Sequence, residues 1–118
     1  MNIGIVACEK MMDRICLGCL KCLNSAKEGL GMFSDYEKAD VLFITSCGDC
    51  PGFVVNKVGL MLREAKSYGA EVDVIHIGTC IISATKIGKC PINVDETKAK
   101  LEEKFKKKVV LGTHPYPP

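Results

Sequence analysis

Val41-Leu42-Phe43-Ile44-Thr45-Ser46-Cys47-Gly48-Asp49-Cys50-Pro51 is the stretch from which the fold can be read. Val41 to Thr45 is a short, largely β-branched apolar run, the pattern of a buried strand. Two cysteines follow at once. Pro51 suits the first position of a helix, where its missing N–H costs nothing, so Cys50 is expected as the N-cap. Val54, Val55, Val58, Met61, Leu62 and Ala65 then recur at helical spacing, and Gly69 suits the stop. Buried strand, cysteine turn and amphipathic helix together make half of a β-α-β unit.

The same grammar runs through the rest of the chain. Residues 2–7 form a first apolar strand that ends at Cys8, and residues 72–77 a third that leads into Gly78-Thr79-Cys80. Val109-Val110-Leu111 is a fourth, followed by Gly112-Thr113-His114. A helix is expected over about 15–28, with Ile15, Cys19, Cys22, Leu23 and Ala26 on one face and Gly29 and Gly31 breaking it. Asn93 caps the last helix, with Glu96 three residues on, and Val94, Leu101 and Phe105 face the core. Residues 78–92, rich in Gly, Cys and Pro, read as a long loop of the kind that carries function. The order β-α-β-α-β-α-β predicts a mainly parallel sheet with helices on both faces and right-handed crossovers. That is a Rossmann- or flavodoxin-like α/β domain over residues 1–114, with a Pro-rich tail at 115–118.

Composition narrows the function. Charged residues are 25% of the chain and the net charge is +2, so neither a nucleic-acid surface nor an acidic partner is expected. Lys104, Lys106, Lys107 and Lys108 sit where they complement the end of a helix dipole. No stretch is long and apolar enough for a membrane, and the chain starts in a strand rather than in a basic leader. A cytoplasmic protein is expected. Eight cysteines in 118 residues then point to metal or redox chemistry rather than a disulfide framework.

In a parallel sheet, Cys8, Cys47, Cys50, Cys80 and His114 all lie just past strand ends, at the edge where open α/β sheets bind ligands. Cys47-x-x-Cys50 has the bite of a metal chelate. Cys16-x-x-Cys19-x-x-Cys22 resembles part of a bacterial ferredoxin run. On a helix, however, spacings of three drift by about 60° per step, so the three thiols would not wrap one cluster. Gly18 can release the first pair from the helix, whereas Cys22 reads as core packing. Cys90-Pro91 repeats the Cys50-Pro51 step. His76, inside a strand, reads as a satisfied core histidine, while His114 is placed for a ligand or proton-relay role. The expected metal set is Cys8, Cys47, Cys50 and Cys80, with Cys16, Cys19, Cys90 and His114 close by. Zinc and an iron–sulfur cluster both suit such donors. Two other chemistries fit parts of the pattern. A thiol–disulfide oxidoreductase would use Cys47 and Cys50 before a helix. Cys8 and Arg14 form a literal C-x5-R, the pattern of small phosphatases and arsenate reductases, but Glu9 and Asp13 would repel their anion.

Taken in order, Cys8, Cys16, Cys19, Thr45 to Gly52, Asp73 to Cys80, Cys90-Pro91 and Gly112-Thr113-His114 resemble the CGGC domain family of small prokaryotic proteins. The resemblance covers nearly the whole chain and implies metal binding, zinc included. Two departures stand out. Asp49 occupies the place of the second glycine, and Ile92-Asn93 follows Cys90-Pro91 where relatives are expected to carry a histidine.

Overall fold

A computed structural model of the chain describes residues 1–115. Four strands, β1 (Asn2–Ala7), β2 (Asp40–Ser46), β3 (Val74–Ile77) and β4 (Lys108–Leu111), form one sheet in the order β2-β1-β3-β4. Every neighbouring pair is parallel. Four helices connect and cover them: α1 (Leu20–Glu28), α2 (Val54–Ser67), α3 (Thr79–Ile87) and α4 (Val94–Phe105). This is the expected α/β architecture, with the flavodoxin-like strand order. After β2 the chain crosses to the other side of β1, so the strand order reverses between β1 and β3. A crevice opens at that point, at the carboxyl ends of the strands.

The alternation of side chains along the strands divides the core. Ile3, Ile5 and Val74 point to one face and pack with Cys22 and Ala26 of α1 and with Phe33. Val6, Ile75 and Ile77 point to the other, against Val54 and Val58 of α2, Ile81 of α3 and Leu101 of α4. Gly4 is where the β1–β2 pair constrains composition: an added Cβ would run into the Phe43 ring on the neighbouring strand. Phe43 fills the room that a side chain at position 4 would need.

Element boundaries differ from the sequence reading in four places, each for a local reason. Residues 79–87 are helix α3, not loop. Cys80, Ile81 and Ala84 give it a buried stripe, and the Gly88 and Cys90 N–H groups close it on the Ala84 carbonyl. The helix expected to follow Pro51 begins later, at Val54 with Phe53 as its cap, because Gly52 lies at φ 101° and the Phe53 N–H turns back to the Cys47 carbonyl at 2.7 Å. Cys50 is therefore not the N-cap. Before α1, Leu17–Cys19 forms a separate 3₁₀ turn, with Gly18 at φ 60° and Cys19 at φ 54°. The third strand starts at Val74 rather than 72. Asn93 does cap α4, its Oδ1 accepting the Glu96 N–H at 3.0 Å. Of the tail, residues 116–118 lie outside the described residues.

His76 is a core residue, as expected. It is fully buried, its Nδ1 lies 2.8 Å from the Gly112 carbonyl, and its Nε2 lies 2.8 Å from the Tyr36 hydroxyl. The Phe33 ring covers it at 4.6 Å between centroids. The Gly112 carbonyl accepts from an N–H at Nδ1, and in the neutral ring that burial favours, Nε2 accepts from the Tyr36 hydroxyl. Burial holds His76 below the ordinary imidazole range, with Lys108 adding to the effect and the Gly112 contact opposing it. The sign of the pH effect follows. Above about pH 6.5 the ring is neutral in both folded and unfolded chains. Below it, the unfolded chain takes up a proton that the folded chain refuses, so stability falls with pH until the folded value is reached. Denaturant midpoints should therefore fall as the pH is lowered through about 6.5. A His76→Gln variant should lose most of that fall; an unchanged fall would contradict the assignment.

Candidate functional site

Cys8 and Cys47 leave the sheet side by side. The Cys47 N–H donates to the Ala7 carbonyl at 2.9 Å, one step beyond the β1–β2 ladder, and both side chains are buried. Ser46 ties the two segments together again, donating to Glu9 Oε1 at 2.7 Å and accepting the Gly48 N–H at 3.1 Å. From Cys47 to Phe53 the chain makes a tight loop, with Gly48 at φ 86° and Asp49 at φ 66°. Both positions of the Gly-Gly pattern thus lie in the left-handed region, where glycine is least strained. Aspartate is among the few other residues that enter it readily. Asp49 is held there by its contacts: Oδ1 accepts the Cys50 N–H at 2.8 Å and meets Lys10 Nζ at 3.3 Å. Those contacts, the Cys50 N–H first, hold its carboxyl below the usual range. Asp49 thus takes up a left-handed conformation that a glycine would enter without strain, and its carboxylate pairs with Lys10.

Cys8, Cys47, Cys50 and Cys90 line one apolar pocket of about 280 Å³. They come from the ends of β1 and β2 and from the segment after α3. Cys50 is exposed at the mouth, Cys90 half-buried, and the other two lie at the base. Burial pushes the Cys8 thiol up, the Lys10 and Met11 amides oppose it, and the nearby Cys47 and Cys90 sulfurs raise it further. Helix α2 begins only at Val54, so its N-terminus lies beyond both thiols of the Cys47-Cys50 pair.

Cys80, grouped with Cys8, Cys47 and Cys50 in the sequence reading, lines a different space. Its Sγ accepts the Cys8 N–H at 3.0 Å, and burial pushes its thiol up to about 12. Together with Cys16, Cys19, Cys22 and His114 it surrounds a second cavity of about 10 Å³. The left-handed Gly18 and Cys19 carry Cys16 and Cys19 off the helical track, so both reach this cavity. Cys22 is committed to packing, its Sγ donating to Thr113 Oγ1 at 3.1 Å. His114 is buried, its Nδ1 lies 2.9 Å from the Pro115 carbonyl, and its Nε2 has no partner.

Two threonines that the sequence reading passed over position this half of the site. Thr79 Oγ1 donates to the His114 carbonyl at 2.8 Å, and Thr113 Oγ1 accepts the Thr79 N–H at 3.1 Å. They clamp the segment after β4 onto the first turn of α3. A signal was available: Gly78-Thr79-Cys80 after β3 and Gly112-Thr113-His114 after β4 are the same Gly-Thr-Xaa step.

The donor chemistry of both cavities suits a soft metal: thiols throughout, and in the second cavity an orphaned imidazole nitrogen. As the side chains stand, no three His, Cys, Asp or Glu groups among the described residues are gathered to hold one ion. Metal uptake would have to draw them inward, as it does where binding is coupled to folding. The C-x5-R segment offers an anion nothing comparable. Met11 and Met12 donate their N–H groups to the Cys8 carbonyl, and Arg14, Ile15 and Cys16 donate theirs to that of Met11. A phosphate cradle needs such N–H groups free and convergent.

No helix of the described residues is long and apolar enough to cross a membrane. The model of the CGGC domain matches residues 2–114. An uncharacterized protein of Methanocaldococcus jannaschii is 33% identical over 118 residues, covering 97% of this chain and 87% of the relative. No solved structure matches. With its ordered cysteine motifs on a parallel α/β sheet, the chain belongs to the CGGC domain family.

Proposed function

We propose that this protein binds metal through thiolates, and that its principal centre is an iron–sulfur cluster held by Cys8, Cys47, Cys50 and Cys90. The observation that carries the reading is the four thiols, from three separate segments, around one apolar pocket at the carboxyl edge of the sheet. Room favours a cluster over a single ion. Zinc draws four ligands to about 2.3 Å and leaves no space between them. A pocket of about 280 Å³ would have to collapse to satisfy it. A cluster, with its own sulfides, spans more of that room, and apolar surroundings with amide N–H groups are what tune such centres. When bound, it would supply one-electron transfer.

The chain's own residues have three tasks in this reading. Gly48 and Asp49 make the tight turn between Cys47 and Cys50, Ser46 and Glu9 fix the two strand ends, and Lys10 offsets negative charge at the rim. Cys47 and Cys50 lie before the helix start rather than on it, which favours their use as ligands over a dithiol activated by the α2 dipole.

Purification without oxygen, followed by iron, zinc and acid-labile sulfide analysis and an optical spectrum, tests the proposal. Iron with matching sulfide is expected, together with a broad visible absorption that bleaches on reduction. A chain that remains free of iron and sulfide after anaerobic reconstitution would refute it.

A further inference from the structure

Cys16, Cys19, Cys22 and Cys80 lie outside the thiol pocket, and the first two stand apart from the others. Cys22 and Cys80 are buried and engaged. Cys22 Sγ donates to Thr113 at 3.1 Å, and Cys80 accepts the Cys8 N–H at 3.0 Å with its thiol pushed up to about 12. Thiols in such settings are inert. Cys16 and Cys19 are half-buried and sit at the two ends of a tight turn. The Cys19 N–H meets the Cys16 carbonyl at 3.4 Å, and the Asp13 carboxylate accepts the Gly18 N–H at 3.3 Å. A turn of this kind brings its first and last Cα atoms within about 7 Å, which is disulfide reach. In the Cys47-Cys50 loop, by contrast, the Cys47 carbonyl accepts from Phe53 at 2.7 Å.

The surroundings of the pair suit thiol exchange. Ile15, Leu17 and Leu20 bracket the two cysteines in sequence, and each is 67% exposed. Exposed aliphatic side chains gathered about one turn mark a surface for another protein. Behind the turn, Lys21 and His114 line the small cavity together with Cys16 and Cys19. An ammonium beside a partly exposed thiol favours the thiolate. His114 Nδ1 donates to the Pro115 carbonyl at 2.9 Å, so in the neutral ring Nε2 keeps a lone pair. That nitrogen is buried and has no hydrogen-bond partner among the described residues.

We propose that Cys16 and Cys19 are a redox-active dithiol that reduces disulfides of partner proteins seated on the Ile15, Leu17 and Leu20 collar. Burial pushes the Cys19 thiol up, and the neighbouring Cys22, Cys16 and Asp13 charges add to it. Cys16 is therefore the attacking sulfur and Cys19 the resolving one. The Cys16 thiolate bonds to one substrate sulfur, the substrate S–S bond breaks, and the released thiolate takes a proton from solvent. Cys19 then attacks Cys16, giving up its proton to His114 Nε2. The Cys16–Cys19 bond forms, the mixed disulfide breaks, and the second substrate thiol departs. Two electrons have passed from the pair to the substrate. A dithiol reductant restores the starting state.

Reduction of insulin by the full chain, with dithiothreitol as reductant, tests the activity. The protein should speed the reaction over dithiothreitol alone, and Cys16→Ser should lose that gain. Cys19→Ser should accumulate a mixed disulfide between Cys16 and insulin, seen by mass spectrometry without reductant. His114→Gln should slow resolution by about 100-fold. Leu17→Asp should raise KM roughly tenfold or more and leave kcat near wild type. Cys22→Ser should behave as the wild type does. Peptide mapping of the wild-type chain after oxidation by a small disulfide should find Cys16 joined to Cys19. A Cys47–Cys50 bond in its place would overturn the proposal, as would insulin reduction no faster than dithiothreitol alone or full activity in Cys16→Ser. Exchange by a chain free of iron and sulfide would uphold the dithiol, which stands apart from the thiol pocket.

Discussion

Cys90→Ser is expected to cut the iron and sulfide content of anaerobically reconstituted protein by about tenfold or more, while Cys80→Ser leaves it near wild type. Outer-shell partners alone change metal affinity by about 10–100-fold, so loss of a direct ligand should exceed the lower end of that range. The contrast is the informative part. By chain position, Cys80 looks the better ligand, because it follows a strand while Cys90 lies ten residues later, beyond α3. In space the roles are exchanged: Cys90 faces the pocket with Cys8 and Cys47, and Cys80 turns to the other cavity. Iron and sulfide assays on both variants, with circular dichroism to show that each is folded, decide the matter. Equal loss in the two variants would mean that the thiols close into one shared centre.

Phe33→Ala is expected to destabilise the fold by about 3–5 kcal/mol, the range for truncating a buried aromatic ring. Against a total of roughly 5–15 kcal/mol, that would leave a marginal protein. Phe33 is fully buried between α1 and the sheet, touching the Ile3, Ile5 and Val74 layer, and its ring covers His76 at 4.6 Å. The turn that carries it also reaches the functional edge. Met32 donates its N–H to the Thr113 carbonyl at 2.9 Å, and Gly31, at φ 57°, lies so close that a Cβ would meet that oxygen at 2.5 Å. Emptying the Phe33 position should therefore loosen the segment that presents His114. Urea unfolding of the variant gives the stability change directly. A loss under about 1 kcal/mol would show that neighbouring side chains collapse into the space.

How much of this was legible beforehand depends on how local the responsible forces are. The parallel α/β fold followed from short apolar runs alternating with helical stripes, because burial of each element's own apolar face decides its type. Asn93 announced the α4 start for the same reason, since its side chain satisfies an N–H only three residues away. The thiol edge was also readable: a parallel sheet brings Cys8, Cys47 and Cys80 to one end whatever the details.

Helix α3 was hidden by its composition. Thr79 to Ile87 lies among Gly, Cys and Pro residues that locally signal a loop, and its helical state depends on seating Ile81 and Ala84 against the sheet. Because α3 exists, Cys80 is the second residue of a helix and Cys90 comes after its end, which exchanges their places at the site. The turn at Gly18 and Cys19 was legible in part: Gly18 signalled a break that frees Cys16 and Cys19 and leaves Cys22 packed, but not that the two line a cavity with Cys80 and His114. Periodicity along the chain reports which groups prefer to be buried. Which sulfur faces which cavity is settled by the direction each side chain takes once distant elements pack, and that direction exists only in the assembled fold.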